Sequence, residues 1–300
     1  MSDILCLGEP LVEFVRLENG NYRRGIGGDT SNAAIAAARQ GASVGYLTAL
    51  GADRFGDAIV EFWAREGVDA TNVERSAAAP TGIYFVDPDP EGRFFTYYRA
   101  GSAASLMSAK NLPLDAIRAA RCLHLSGITL AVSSELRLTG LAAMRAAHEA
   151  GVEVSLDTNL RLKLWDIETA RATTEDAMAL ATVAVTSIDD SAHLTGLAVP
   201  SEIAAFYHGL GPKIVLVTMG AEGCHLSVEG HATLISPIKA QPIDSTGAGD
   251  SFAGSFLAWW LETGDPVLAG QRAARVAAGT VSGLGAVDPI PMRTAVLGAE

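Results

Sequence analysis

The sequence predicts an α/β fold: a mostly parallel, doubly wound sheet flanked by helices on both faces, with a small β-sheet lid. Three observations carry that expectation. Short, almost wholly apolar runs fall at residues 44–50, 122–126, 152–156, 183–186 and 214–218, the pattern of strands buried on both faces. Alanine-rich helical patterns follow at 56–66, 134–150, 168–181 and 201–210, so strands and helices alternate as parallel crossovers require. The alternation breaks once, where aromatic-rich runs at 81–86 and 93–99 flank a turn-forming loop at 87–92.

Taken in chain order, residues 11–17 alternate apolar and polar and would add a strand to the lid. Gly25-Ile26-Gly27-Gly28-Asp29-Thr30-Ser31-Asn32 then leads into a helix over 33–40, closed by Gly41. The paired glycines permit close backbone approach, and Asp29 and Asn32 suit sugar hydroxyls; alternatively the loop only caps the helix through Thr30 or Ser31. Residues 81–86 and 93–99 form a hairpin, either an ordinary edge hairpin or part of the lid. Tyr97 and Arg99 should share one face of it and Tyr98 the other.

Asp157-Thr158-Asn159-Leu160-Arg161 ends the strand at 152–156, on the edge where open α/β sheets bind ligands. Arg161 suits a carboxylate or a phosphate, unless it only pairs with Asp157. The strongest signal is Asp244-Ser245-Thr246-Gly247-Ala248-Gly249-Asp250-Ser251-Phe252, ahead of a helical run at 253–261. Gly247, Ala248 and Gly249 let backbone amides approach a ligand, and at a helix N-terminus such amides form an anion site. Asp250 beside that site would take a proton from a nucleophilic hydroxyl, or would simply favour the helix dipole.

Composition narrows the function. The chain has 300 residues, 49% of them apolar and 19% charged, a globular composition. With no Pro/Ser linker or repeat, residues 1–300 form a single domain, the lid strands lying within 10–25 and 80–100. The net charge of −12 leaves no basic stripe for nucleic acid or an anionic membrane. Three scattered cysteines point to a reducing compartment. Asp3 and Glu9 stand where a signal peptide would be apolar, so a cytoplasmic, soluble protein is expected. There is no G-x-x-x-x-G-K-[ST] loop, no G-x-G-x-x-G spacing and no G-x-S-x-G elbow, and the six histidines lack metal-ligand spacing.

Gly27-Gly28 with Asn32, Gly51-Ala52-Asp53-Arg54-Phe55-Gly56 and the 244–250 segment, in this order, resemble the ribokinase-like (PfkB) carbohydrate kinases over nearly the whole chain. Within that family the sequence is most similar to 2-keto-3-deoxygluconate kinases. The similarity lies in Gly27-Gly28-Asp29-Thr30, Tyr97-Tyr98-Arg99 with Ser102-Ala103, Leu125-Ser126-Gly127-Ile128, and Asp157-x-Asn159-x-Arg161 running to Leu164-Trp165. The resemblance implies a kinase that phosphorylates 2-keto-3-deoxygluconate from ATP with Mg2+, and with a monovalent cation such as K+. Asp250 would be the base and Gly247, Ala248 and Gly249 the anion hole. Gly28, Asp29, Asn32, Tyr84, Tyr97, Arg99, Arg161 and Asp250 would hold the substrate, and Asn159, Arg161, Thr218, Gly220, Gly223, Gly247 and Gly249 the nucleotide. The helix near 277–282 would also line the nucleotide.

Two positions depart from the family pattern. Ser187-Ile188-Asp189-Asp190 stands in place of Asn-x-x-Glu, which makes Ser187 and Asp190 the metal-site residues, and Glu13 replaces an aspartate of the first lid strand. Two unpaired guanidiniums, Arg99 and Arg161, would call for an anionic sugar. The alternatives are a fructokinase-type kinase of a neutral sugar and a non-catalytic sugar-binding protein on the same fold. A homo-oligomer is expected.

Overall fold

The computed structural model describes residues 2–89 and 92–298; the tip of the lid hairpin, at 90–91, lies outside them. Two sheets make the frame. The larger, ten-stranded sheet contains β1 (Ile4–Leu7), β4 (Val44–Gly51), β5 (Val68–Asp69), β6 (Val73–Ser76), β9 (Cys122–Ser126), β10 (Glu153–Asp157), β11 (Val183–Ser187), β12 (Ile214–Thr218), β13 (Cys224–Val228) and β14 (His231–Ile235). The smaller contains β2 (Leu11–Arg16), β3 (Tyr22–Gly27), β7 (Ile83–Asp89) and β8 (Gly92–Tyr98).

The large sheet runs in the order β14-β13-β12-β11-β10-β9-β1-β4-β5, with β6 also beside β4. It is parallel from β12 to β4 and its neighbours, and β13 and β14 add an antiparallel edge. Side chains alternate across it. Ile4 and Cys6 of β1 enter one core with helices Asp29–Arg39, Arg54–Glu66, Ala248–Thr263 and Pro266–Val281. Leu5 and Leu7 enter the other, with helices Ser134–Glu149, Ile167–Met178 and Pro200–Leu210. Apolar side chains on both faces explain why these strands carry no polar alternation.

The helix expected over 33–40 starts earlier and spans Asp29–Arg39. Thr30 and Ser31 do not cap it. They are buried inside it, Thr30 Oγ1 sharing a hydrogen bond with the Tyr46 hydroxyl (2.6 Å) and Ser31 Oγ accepting from Trp63 Nε1 (2.9 Å). Gly28 stands at the cap position at φ 113°, where a Cβ would meet the Glu9 carbonyl at 2.6 Å, so the turn requires glycine. The helix expected over 253–261 likewise starts earlier and spans Ala248–Thr263. β3 gave no signal in sequence because its first residues, Tyr22, Arg23 and Arg24, are exposed.

In the small sheet, of order β3-β2-β7-β8, β2 pairs antiparallel with β3 but parallel with β7. The chain therefore leaves the body for the lid twice and returns twice. Inside the body, helices Ala248–Thr263 and Asp29–Arg39 lie in direct backbone contact: a Cβ on Gly254 would stand 2.0 Å from the Ala33 carbonyl oxygen. Gly254→Ala is therefore expected to lower the unfolding free energy by roughly 1–3 kcal/mol, because the two helices must separate. Gly209→Ala, in a helix position with open space around it, should raise it by up to about 1 kcal/mol. Urea unfolding of the two variants checks the contrast.

Candidate active site

The carboxyl ends of the parallel strands gather the candidate residues. Asp157 ends β10, Ser187 ends β11 and Thr218 ends β12, the edge at which open α/β sheets take ligands. Above them, Gly247 adopts φ 78° at the start of helix Ala248–Thr263, where a Cβ would lie 2.6 Å from the Ala286 carbonyl. Gly249 has open space around its α-carbon. It borders a groove of about 660 Å³ that also takes in Thr218, Gly220, Gly223, Ala248 and the Ala277–Ala278 face of helix Pro266–Val281. Lined mainly by small apolar side chains, the groove can accept a flat aromatic base, with the helix N-terminus offering its amides to phosphate. Gly247, Asn159 and Arg161 are not among its walls.

Asp250, in the first turn of that helix, accepts a hydrogen bond from Asn32 Nδ2 at 2.8 Å. Burial and then the charge of Asp29 lift its carboxyl to about 7, against the pull of the Asn32 bond and Arg161. Asp29 in turn accepts from Asn159 Nδ2 at 3.1 Å, and Asn159 holds a positive φ of 29°. Asn159 thus ties the start of helix Asp29–Arg39 to the end of β10. Arg161 donates to the Leu160 carbonyl (2.8 Å) and is exposed; it makes no ion pair with Asp157.

The lid supplies the opposite wall. Tyr84 and Tyr97 stack across the β7–β8 pair with ring centroids 5.4 Å apart, and the Tyr84 hydroxyl donates to Glu13 Oε2 at 2.5 Å. Tyr98 falls on the other face, edge-on to Phe85. Burial pushes the Tyr97 phenol up, Arg99 and Arg161 pull it down, and Asp29 and Glu13 push with burial. Those five side chains therefore share one neighbourhood. For Tyr84 the same holds of Glu13, Tyr97 and Asp250, which places the lid face toward the Asp250 carboxylate.

One expectation changes. Arg99 is not an unpaired guanidinium: it forms an ion pair with Glu9, whose side chain is completely buried. Sequence spacing gave no hint of a partner ninety residues away. Ser187 and Asp190 are engaged in local structure. Ser187 Oγ accepts the Asp190 amide (3.0 Å), while Asp190 Oδ2 accepts from Thr158 Oγ1 and the Leu160 amide (both 3.0 Å). Asp157 was missed as an ionisable group of the site. Burial, then Asp250, Asp190 and Asp29, push its carboxyl well above the usual carboxylate range.

Comparisons with known proteins bear on the fold and the family. The model of the pfkB family carbohydrate kinases matches residues 1–293. A 2-dehydro-3-deoxygluconokinase of Thermoproteus tenax is 34% identical over 89% of this chain and 84% of its own. A probable fructokinase-4 of Arabidopsis thaliana is 34% identical over 85% of this chain and 81% of its own. The crystal structure of a fructokinase with bound ATP from Xylella fastidiosa superposes at a TM-score of 0.89 with 26% identity, over 99% of this chain and 98% of that one.

The Asp250 carboxyl is expected to titrate near 7 in the ligand-free protein, read from its 13C chemical shift. Asp29→Asn should move that titration to lower pH, since a neighbouring negative charge disfavours ionisation. An unmoved titration would contradict the proximity of the two carboxyls.

Proposed function

Because the chain belongs to the pfkB family of carbohydrate kinases, we propose that it transfers the γ-phosphoryl group of ATP to the primary hydroxyl of a sugar acid. The substrate is 2-keto-3-deoxygluconate (the 2-dehydro-3-deoxygluconate of the Thermoproteus relative's name) and the product its 6-phosphate. The whole chain acts as one kinase domain, with the four-stranded sheet as its lid. The observation that carries the sugar-acid reading is Arg161. Its guanidinium is exposed beside Asp250, bonded to a backbone carbonyl, and no carboxylate of the described residues forms an ion pair with it. A guanidinium without an ion-pair partner beside the sugar pocket suits an anionic sugar better than fructose.

The chemistry follows from position. Phosphoryl transfer needs alignment and charge neutralisation more than covalent help. Asp250, with its carboxyl poised near neutrality, accepts the proton of the attacking hydroxyl, and a base with such a pKa is matched to that task. The amides at the start of helix Ala248–Thr263 face the transferring group and spread its negative charge. Nucleotide lies in the groove beside Gly249, as the ATP-bound Xylella neighbour suggests. Asn32 and Asp29 contact sugar hydroxyls, while Tyr84 and Tyr97 cover the sugar and exclude water.

Magnesium fits the donor set. Burial and then the charges of Asp250, Asp190 and Asp29 suppress the ionisation of Asp157, a condition that a hard divalent cation nearby would relieve. Among the described residues no group of three ligating side chains stands together, consistent with an ion held mainly by phosphate oxygens and water. Asp157 and Asp190 would hold it from the protein side, and when bound it supplies charge neutralisation to the phosphates.

The second reading is a kinase of a neutral sugar. It is favoured by the neutralisation of Arg99 by Glu9 and by the equal identity of the plant fructokinase. Steady-state kinetics on both sugars decides. Efficiency for 2-keto-3-deoxygluconate is expected to exceed that for fructose by ~10²-fold or more in kcat/KM; equal efficiency promotes the second reading. Asp250→Asn should lower turnover by ~10²-fold or more with ATP binding retained, and near-normal kcat would remove Asp250 from the role of base.

A further inference from the structure

Arg99 enters the sugar pocket already matched. Its side chain is 13% exposed and its guanidinium pairs with a Glu9 carboxylate that has no exposed area. The second Glu9 oxygen, Oε1, accepts the Ser102 hydroxyl at 2.7 Å, and Ser102 Oγ receives the Ser105 amide at 3.2 Å. On its other side the guanidinium carbon lies 5.4 Å from the Tyr97 ring centroid, on the lid face that looks toward Asp250. The Arg99 Nε is buried without a hydrogen-bond partner, so this guanidinium retains donor capacity beyond the ion pair. Nothing in the phosphoryl-transfer chemistry requires Glu9, yet burying a carboxylate is costly unless it is paired.

We propose that Glu9 sets the charge of the sugar pocket: by neutralising and aiming Arg99 it turns that guanidinium into a hydrogen-bond donor for uncharged sugar oxygens, leaving Arg161 as the counter-ion for a carboxylate. The inference rests on the sugar-acid kinase reading. Its physical basis is that two opposite charges in contact present little net field to a third. A keto or hydroxyl oxygen still gains from the Arg99 N–H groups, whereas an anion gains much less than from a bare cation. Glu9 also spares the empty pocket an unpaired, nearly buried guanidinium, and it keeps the anionic product from being held too tightly for release. Glu9 is on this account a positioning residue that never touches substrate.

The prediction has an unusual sign: removing a buried, bonded group should tighten binding of the sugar acid. Glu9→Gln keeps the shape and the Ser102 contact but deletes the negative charge. Calorimetry on the full chain should show 2-keto-3-deoxygluconate bound roughly tenfold more tightly than by wild type, while the inhibition constant of fructose shifts by less than about twofold. In the Arg99→Met background, which removes the guanidinium that Glu9 neutralises, the same Glu9→Gln change should shift the affinity for the acid by less than about twofold, and a tenfold tightening there would overturn the route through Arg99. A folded Glu9→Gln protein that binds the sugar acid equally or less tightly than wild type overturns the assignment of Glu9 and leaves the kinase reading standing. A wild-type protein that binds no sugar acid overturns both.

Discussion

The close approach of two helices governs the site. Helix Ala248–Thr263 and helix Asp29–Arg39 touch backbone to backbone at Gly254 and Ala33. One carries the amides and Asp250 at its N-terminus, the other carries Asp29 and Asn32 at its own. Because both helices begin at the same edge of the sheet, contact along their lengths brings their first turns together. The 2.8 Å bond from Asn32 to Asp250 joins positions that are 218 residues apart in sequence and fixes the carboxylate against the sugar loop. At the far end of Asp29–Arg39, Arg39 pairs with Glu66 and donates to the carbonyls of Val287 and Ile290. That clasp holds the segment on which Gly247 packs through Ala286. The same helix thereby supports both sides of the anion-binding turn.

Electrostatics at this edge is a balance of clustered acids against few bases. Burial first, and then the charges of neighbouring aspartates, suppress ionisation of Asp157 and lift Asp250 to about 7. Arg161 offsets part of this, and Arg99 is already committed to Glu9. The acidic half of this edge gathers like charges, and the lid half is balanced by the Arg99–Glu9 pair.

Much of this was legible in the chain. The 244–252 segment announces its chemistry because an anion turn is local: glycines, a helix start and an acid in the first turn are adjacent in sequence. The face shared by Tyr97 and Arg99 follows from the two-residue period of a strand. What escaped depends on distance or on local competition. Glu9 and Arg99 meet only after the lid has folded over the end of β1, so neither residue's neighbours in sequence reveal the pair. The bonds that one Asp190 oxygen accepts from Thr158 and the Leu160 amide were likewise hidden, because they join the ends of two different strands. β3 was invisible because Tyr22, Arg23 and Arg24 face solvent and carry no apolar alternation.

The lid is attached to the body by four chain crossings, at residues 10–11, 27–28, 82–83 and 98–99. All four converge on Glu9. Its backbone precedes the first, its carbonyl lies under Gly28, its Oε1 packs on Gly82, and its carboxylate grips Arg99. A plate suspended from four separate points could only rise and fall, and one hung from a single thread could swing and twist freely. Four threads gathered at one knot leave a different freedom: the plate can tilt about the knot but cannot slide across the site. Any tilt would carry the far edge, where Phe94 and Phe95 are exposed, through the largest arc, and Tyr84 and Arg99, nearest the knot, through the smallest. The strand ends nearest the knot are thus the part of the small sheet held most firmly to the body.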